Sequence, residues 1–383
     1  MHHTLYDLSP LLRLLMVGAA LAALPLLWVG LRNRNASSSQ RLRALTLVTL
    51  FLTFDLVMFG AFTRLTDSGL GCPDWPGCYG NASPLGAQAE ITAAQTALPS
   101  GPVTHDKAWV EMLHRYWASS VGGLIVVLAG MGWWLTINAR QARKGHQTAP
   151  SPWWATATLV WVCIQGAFGA LTVTMKLFPA IVSLHLLGGY VLLALLTVQA
   201  VQWTLRSHGT QPTNVGPGLR AGMMLGLAML VMQAASGAWV STNYAVLACT
   251  EFPQCQGQWW PDMAFAPGFT LWRALGMGAD GTYLPFSALT AIHVVHRMLA
   301  LVTLLTLGGL CAALWRSKNF PFLSRALLGV LLLQLVTGVS NAVLDWPLPA
   351  AVLHTGGAGA LVVILVALLS TSAVRPQPRR LNS

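Results

Sequence analysis

Charge is scarce in this 383-residue chain: Asp, Glu, Lys and Arg make up 9% of it, against 55% hydrophobic residues. So little polar surface cannot clothe a soluble globule, and runs of about 20 apolar residues recur along the sequence. The alternating pattern of a membrane β-barrel is missing as well, so a lipid-exposed backbone has to satisfy its hydrogen bonds inside helices. Acidic residues are scarcer than basic ones, 11 against 22. Cysteines number six, and none forms a Cys-x-x-Cys with a histidine nearby, which sets zinc modules aside. Basic residues are also missing in front of the first apolar run. Its basic flank, Arg32, Arg34, Arg41 and Arg43, follows the run, the reverse of a signal peptide.

What is present reads as an all-α polytopic membrane protein. Nine spans are expected at roughly 11–31, 44–63, 113–136, 154–175, 181–203, 220–240, 290–314, 322–342 and 349–372. Alternate connections, 32–43, 137–153, 204–219, 315–321 and the tail 373–383, carry Arg32, Arg34, Arg41, Arg43, Arg140, Arg143, Lys144, Arg206, Arg316, Lys318, Arg375, Arg379 and Arg380 without a single acidic residue. The positive-inside rule puts these segments in the cytoplasm, or the matrix of an organelle, with the amino terminus outside and the carboxyl terminus inside. The net charge of +11 is then accounted for by topology and anionic lipid, and calls for no nucleic-acid partner.

Two long outer loops remain, about 64–112 and 241–289, each with a Cys-x5-Cys: Cys72 with Cys78, and Cys249 with Cys255. In an oxidising compartment each pair reads as a short-loop disulfide, stapling its loop or taking part in redox chemistry. Cys163 and Cys311 fall within spans and read as packing residues.

An internal repeat organises the rest. Gly60, Cys72 and Cys78 realign with Gly237, Cys249 and Cys255 at one constant offset. Gln165-x3-Gly169 precedes His185 as Gln334-x3-Gly338 precedes His354, and His114-Arg115 is matched by His296-Arg297. The expected plan is two pseudo-symmetric four-helix bundles plus one extra N-terminal transmembrane helix. In residues this is 1–43 for the extra helix and its basic loop, 44–203 and 220–372 for the repeats, 204–219 for a cytoplasmic linker and 373–383 for the tail. Repeats of four spans share one orientation, so their axis runs along the membrane normal.

His114, His185, His296 and His354 all fall near the outer ends of their spans. An ionisable group in a span needs a partner or a function. Four at repeated positions fit two imidazole couples, each able to clasp a haem between the second and fourth helices of its half. Arg115 and Arg297 suit haem propionates, with interfacial snorkelling as the alternative. Glu111, one turn before His114, has His293 as its counterpart. A carboxylate beside one haem only points to chemistry in the first half and electron transfer in the second. Asp55 is a weaker candidate, open to a bond with a neighbouring helix.

Taken in order, Thr63-Arg64-Leu65-Thr66-x-Ser68-Gly69-Leu70, Cys72, Trp75-Pro76, Cys78, Glu111-x-x-His114-Arg115, His185-Leu-Leu-Gly, His296-Arg297 and His354-x-Gly resemble the haem A synthase family over residues from about 44 to 372. The resemblance implies oxidation of the C8 methyl of haem O to a formyl group, giving haem A for cytochrome c oxidase. It implies that His296 and His354 hold a resident haem b, that His114 and His185 address the substrate haem, and that Glu111 is needed for activity. The extra first helix departs from the family's eight spans. A bacterial cytoplasmic membrane is the expected location, with haem O synthase and oxidase assembly factors as partners. Patterns such as Gly166 to Ala170 permit close helix packing within the chain or in a homo-oligomer. Two other classes stay in view: a dihaem membrane cytochrome b that takes electrons from quinol, and a haem transporter or chaperone.

Overall fold

The computed structural model describes residues 9–141 and 151–374, without the side chains of 139–141. Arg143, Lys144, Arg375, Arg379 and Arg380 of the basic segments, and nearly all of the tail, lie outside the described residues. Eleven helices follow one another among those described: α1 Ser9–Arg32, α2 Ser38–Leu65, α3 Gln88–Ala97, α4 His105–Gln141, α5 Trp153–Thr174, α6 Pro179–Ser207, α7 Pro217–Thr242, α8 Phe265–Gly268, α9 Phe286–Ser317, α10 Pro321–Val343 and α11 Leu348–Thr371. All except α3 and α8 are long and apolar enough to cross a membrane, giving the nine spans the sequence leads one to expect. The protein is an all-α polytopic membrane protein; the only strands among the described residues, Thr213–Val215 and Ser372–Val374, pair over three residues.

Local chemistry sets the helix boundaries. Ser37 caps α2 reciprocally with Gln40: the Gln40 N–H donates to Ser37 Oγ and the Ser37 N–H donates to Gln40 Oε1. Proline, whose missing N–H costs nothing in a first turn, opens α6, α7, α10 and α11. Helix α2 stops just before Asp67, and α7 just before Tyr244, both in the left-handed region. Similarly, α5 is followed by left-handed Lys176 and Leu177, and α10 by left-handed Asp345 and Trp346. The repeat seen in the sequence is therefore also a repeat of backbone turns.

Helices α2, α4, α5 and α6 pack together, as do α7, α9, α10 and α11. Between the two sets, α6 and α11 pack on each other, α2 lies on α11 and α7 lies on α6. Tyr190 Oη crosses this seam to donate to Thr355 O at 2.8 Å. A core of Tyr190, Leu193, Met223, Leu307, Leu361 and Leu365 fills it. Helix α1 lies outside, on α4, and buries one stripe: Leu14, Gly18, Ala22 and Val29. Leu12, Leu24 and Leu27 face outward, as a lipid-facing surface should.

Candidate functional site

Each histidine of the repeat stands on a different long helix. His114 is nine residues into α4 and His296 ten into α9, about 14–15 Å along their axes; His185 and His354 are six residues into α6 and α11, about 9 Å. His114 lies within electrostatic reach of His185, and His296 of His354. The structure thus brings the four together as two couples, one per half.

A glycine on the preceding membrane span seats each ring. A Cβ on Gly60 of α2 would lie 3.0 Å from His114 Cε1, and one on Gly237 of α7 would lie 3.0 Å from His296 Cε1. The corresponding distance is 3.5 Å from Gly169 to His185 and 3.1 Å from Gly338 to His354. At Gly60, Gly237 and Gly338 even a methyl would press on an imidazole, while at Gly169 it would only touch one. The paired glutamines have an equally steric reason. Gln165 and Gln334 push their amides against Gly188 and Gly357, where an added Cβ would lie 1.9 and 2.0 Å away, and Gln334 Nε2 donates to His354 O at 2.9 Å.

Beyond the rings, the halves diverge. Ser236 Oγ lies 2.9 Å from His296 Nδ1 and Thr337 Oγ1 lies 2.9 Å from His354 Nδ1. His114 Nδ1 and His185 Nδ1 are buried with no partner. Phe59 stacks beside His114 with ring centroids 6.2 Å apart.

Above the first couple, Glu111 is buried and makes no hydrogen bond to His114. Its carboxylate accepts from Cys72 N at 2.8 Å and is ion-paired with Arg115. Arg115 in turn donates to the carbonyls of Asp74, Pro76 and Gly77. In the second half, Arg297 donates to His293 Nε2 at 3.2 Å, Gln254 O at 3.0 Å and Cys249 O at 2.9 Å. Both guanidiniums hold a loop down onto its helix. The loops they hold are closed by the disulfides Cys72–Cys78 and Cys249–Cys255. Asp55 makes no side-chain hydrogen bond or ion pair among the described residues, so the interhelical bond open to it is not formed. Cys311 is buried in the core of the second half, and Cys163 is exposed.

Arg273 carries no motif and escapes sequence reading; its one signal is a lone arginine in an outer loop poor in charge. It is 3% exposed, donates to Asn243 Oδ1 at 2.7 Å and stacks over Trp239, and its Nε has no partner. Burial pushes its pKa below the usual arginine range.

Among the described residues no group of three or more His, Cys, Asp or Glu could hold a bare metal ion. Two imidazoles within reach of one another suit an iron whose other four positions are filled by a macrocycle, and the glycine-seated rings, two of them with a buried, unpartnered Nδ1, fit such a group.

A sequence model described as cytochrome oxidase assembly protein, COX15-CtaA, matches residues 43–366. The chain belongs to the COX15-CtaA family. The family match begins after α1 and takes in most or all of each of the eight remaining spans. A protein from Shewanella oneidensis named Heme A synthase is similar at 37% identity over 321 residues, 84% of this chain and 93% of its own length. Proteins of the same name from Granulibacter bethesdensis and Alkalihalophilus pseudofirmus are similar at 28% over 342 residues and 26% over 328. These cover 84% and 82% of this chain, and 83% and 92% of the relatives.

Proposed function

We propose that this COX15-CtaA protein is a membrane oxidoreductase with haem A synthase activity, converting the C8 methyl of haem O to a formyl group for cytochrome c oxidase. The observation that carries the reading is the pair of imidazole couples, each ring seated on a glycine, with a buried carboxylate above one couple only. The relatives' shared name supports the same activity.

In this reading residues 44–203 form the substrate half and 220–372 the electron-transfer half. Residues 1–43 supply the extra helix and its basic loop, 204–219 a cytoplasmic linker and 373–383 a cytoplasmic tail. His114 and His185 hold the iron of haem O and fix where its methyl lies. Glu111 holds or moves a proton above them, anchored by Arg115 and the Cys72 amide. His296 and His354 hold a haem b, which when bound supplies an electron relay. Arg115 and Arg297 keep the disulfide loops closed over the couples. A recess of about 300 Å3 between α2 and α11, lined by residues such as Leu47, Phe51, Phe54 and Val363, is an apolar space suited to the long tail of the substrate. The location is a bacterial cytoplasmic membrane with the amino terminus outside. Haem O synthase and oxidase assembly factors are the expected partners, membrane lipid is the solvent, and a homo-oligomer is compatible with this plan.

The deciding experiment co-produces the protein with a source of haem O, extracts the pigments and weighs the porphyrins. Haem A is the expected product. Unmodified haem O beside a redox-active haem b identifies an electron-transfer cytochrome, and substoichiometric, exchangeable haem identifies a transporter.

A further inference from the structure

The residue that immediately precedes each cradle glycine differs between the halves: Phe59 and Phe168 in the first, Ser236 and Thr337 in the second. From this difference we infer that Ser236 and Thr337 are positioning residues that lock the second-half imidazoles as haem ligands, whereas Phe59 and Phe168 leave the first-half imidazoles unlocked so that haem there can exchange. The inference rests on the proposal above that each couple takes a haem.

Ser236 Oγ donates to Gln233 O at 2.8 Å, and Thr337 Oγ1 donates to Leu333 O at 2.8 Å, each back to its own helix. With its proton on its own helix carbonyl, each hydroxyl accepts from the imidazole 2.9 Å away, an arrangement that puts the hydrogen on Nδ1 of His296 and of His354. Nε2 is then the unprotonated nitrogen, the one able to bind iron. Turning the Gln233 amide over would bring its buried, unpartnered Oε1 onto the same His296 Nδ1–H, where Nε2 now lies at 3.1 Å. A hydrogen bond at Nδ1–H fixes ring orientation and raises the basicity of the metal-binding nitrogen.

Nothing in the first half does this. Phe59 and Phe168 offer no acceptor, Leu56 stands three residues before Phe59 as Gln233 stands three before Ser236, and the Nδ1 atoms of His114 and His185 are orphaned. Neither tautomer is favoured by a partner, and each ring is held by packing alone. Ligands of that kind suit a haem that has to arrive as substrate and leave as product, and locked ligands suit one that stays.

The test uses purified full-length protein and three readouts: haem content, rate of haem loss to excess apomyoglobin, and reduction potential. The S236A/T337V protein is expected to lose haem about 10-fold faster than the parent. Its potential should also rise, because a less basic ligand stabilises ferric iron less. The conservative S236T/T337S protein should restore both, separating the hydroxyl's role from mere packing. Phe168→Thr, which offers His185 a partner, should slow haem loss from the first half. If S236A/T337V keeps the parental loss rate and potential while H296A/H354A is depleted of haem, this inference alone is overturned. If H296A/H354A retains its full haem content, the two-couple reading falls and takes this inference with it.

Discussion

Tyr244 Oη donates to Asp67 Oδ1 at 2.5 Å, joining residues 177 positions apart. Arg64, which donates to Ser241 O at 2.7 Å across the same 177 residues, also lies over the Tyr244 ring. Repeat-related residues therefore touch one another where α2 and α7 end, which is what a pseudo-two-fold axis at that point requires. Burial and the bond to Asp67 push the Tyr244 phenol above its ordinary value near 10, against the opposing pull of Arg64. A raised pKa means that the folded form holds the proton longer. This contribution is complete below about pH 10 and is lost as pH rises through the folded value. Asp67 is more than half exposed and screened by water, so Tyr244→Phe should cost only about 1 kcal/mol at neutral pH. It should also reduce the alkaline part of the stability profile. Thermal unfolding followed from pH 7 to 11 checks both, and an unchanged alkaline limb would show that the clasp contributes nothing.

Glu111→Gln separates charge from architecture. The amide is isosteric and its oxygen can still accept from Cys72 N, so the loop should stay in place while the carboxylate is lost. Haem A formation should fall by about 100-fold or more if Glu111 handles a proton, with the resident haem still present by absorption spectroscopy. Parental product yield would show that the carboxylate serves only to hold Arg115 and the loop.

The cradle glycines make a graded series. Alanine at Gly60, Gly237 or Gly338 sets a methyl 3.0 or 3.1 Å from an imidazole carbon, tight enough to turn the ring, whereas alanine at Gly169 meets His185 at an ordinary 3.5 Å. Gly237→Ala and Gly338→Ala should lower haem content and shift the Soret band, and Gly60→Ala should depress product formation with the resident haem intact. Gly169→Ala should resemble the parent. Uniform behaviour across the four would mean that ring seating does not govern haem binding.

The spans were legible because roughly 20 apolar residues in succession leave few alternatives, but their outer ends were not. Helix α4 begins at His105, well before the apolar run that opens near 113, because Asp106, Lys107 and Glu111 end the hydropathy signal without ending the helix. The four histidines stood out by repetition, and the glycines and glutamines that seat them stood out only as landmarks without a reason. Ser236 and Thr337 were invisible for a physical cause. A hydroxyl in a membrane helix ordinarily bonds back to its own turn, as Thr46, Thr49 and Thr53 do here, and only packing reveals that two of them also face an imidazole. Arg115 and Arg297 stood out by their place beside a histidine, and their contacts with loop carbonyls become visible only in the fold.

Helix α1 lies outside the family match, and its attachment rests on small residues. A Cβ on Gly18 would fall 2.5 Å from Ser119 Cβ and 2.8 Å from the Ser119 carbonyl carbon, a backbone atom that cannot swing aside. Close approach of two helices through glycine is the usual means of association where lipid removes the hydrophobic driving force. Gly18→Val should therefore displace α1 from α4. Cysteines introduced by Ala22→Cys and Gly123→Cys provide the readout, since a Cβ on Gly123 lies 3.5 Å from Ala22 Cβ, within reach of a disulfide. Cross-linking should be efficient in that pair and fall several-fold once Gly18→Val is added. Haem content should not change, because α1 packs on the face of α4 that carries Ser119, Ser120 and Gly123, whereas His114 faces Gly60 of α2. Undiminished cross-linking would show that contacts other than Gly18 hold the helix, and loss of haem would show that α1 braces the couples after all.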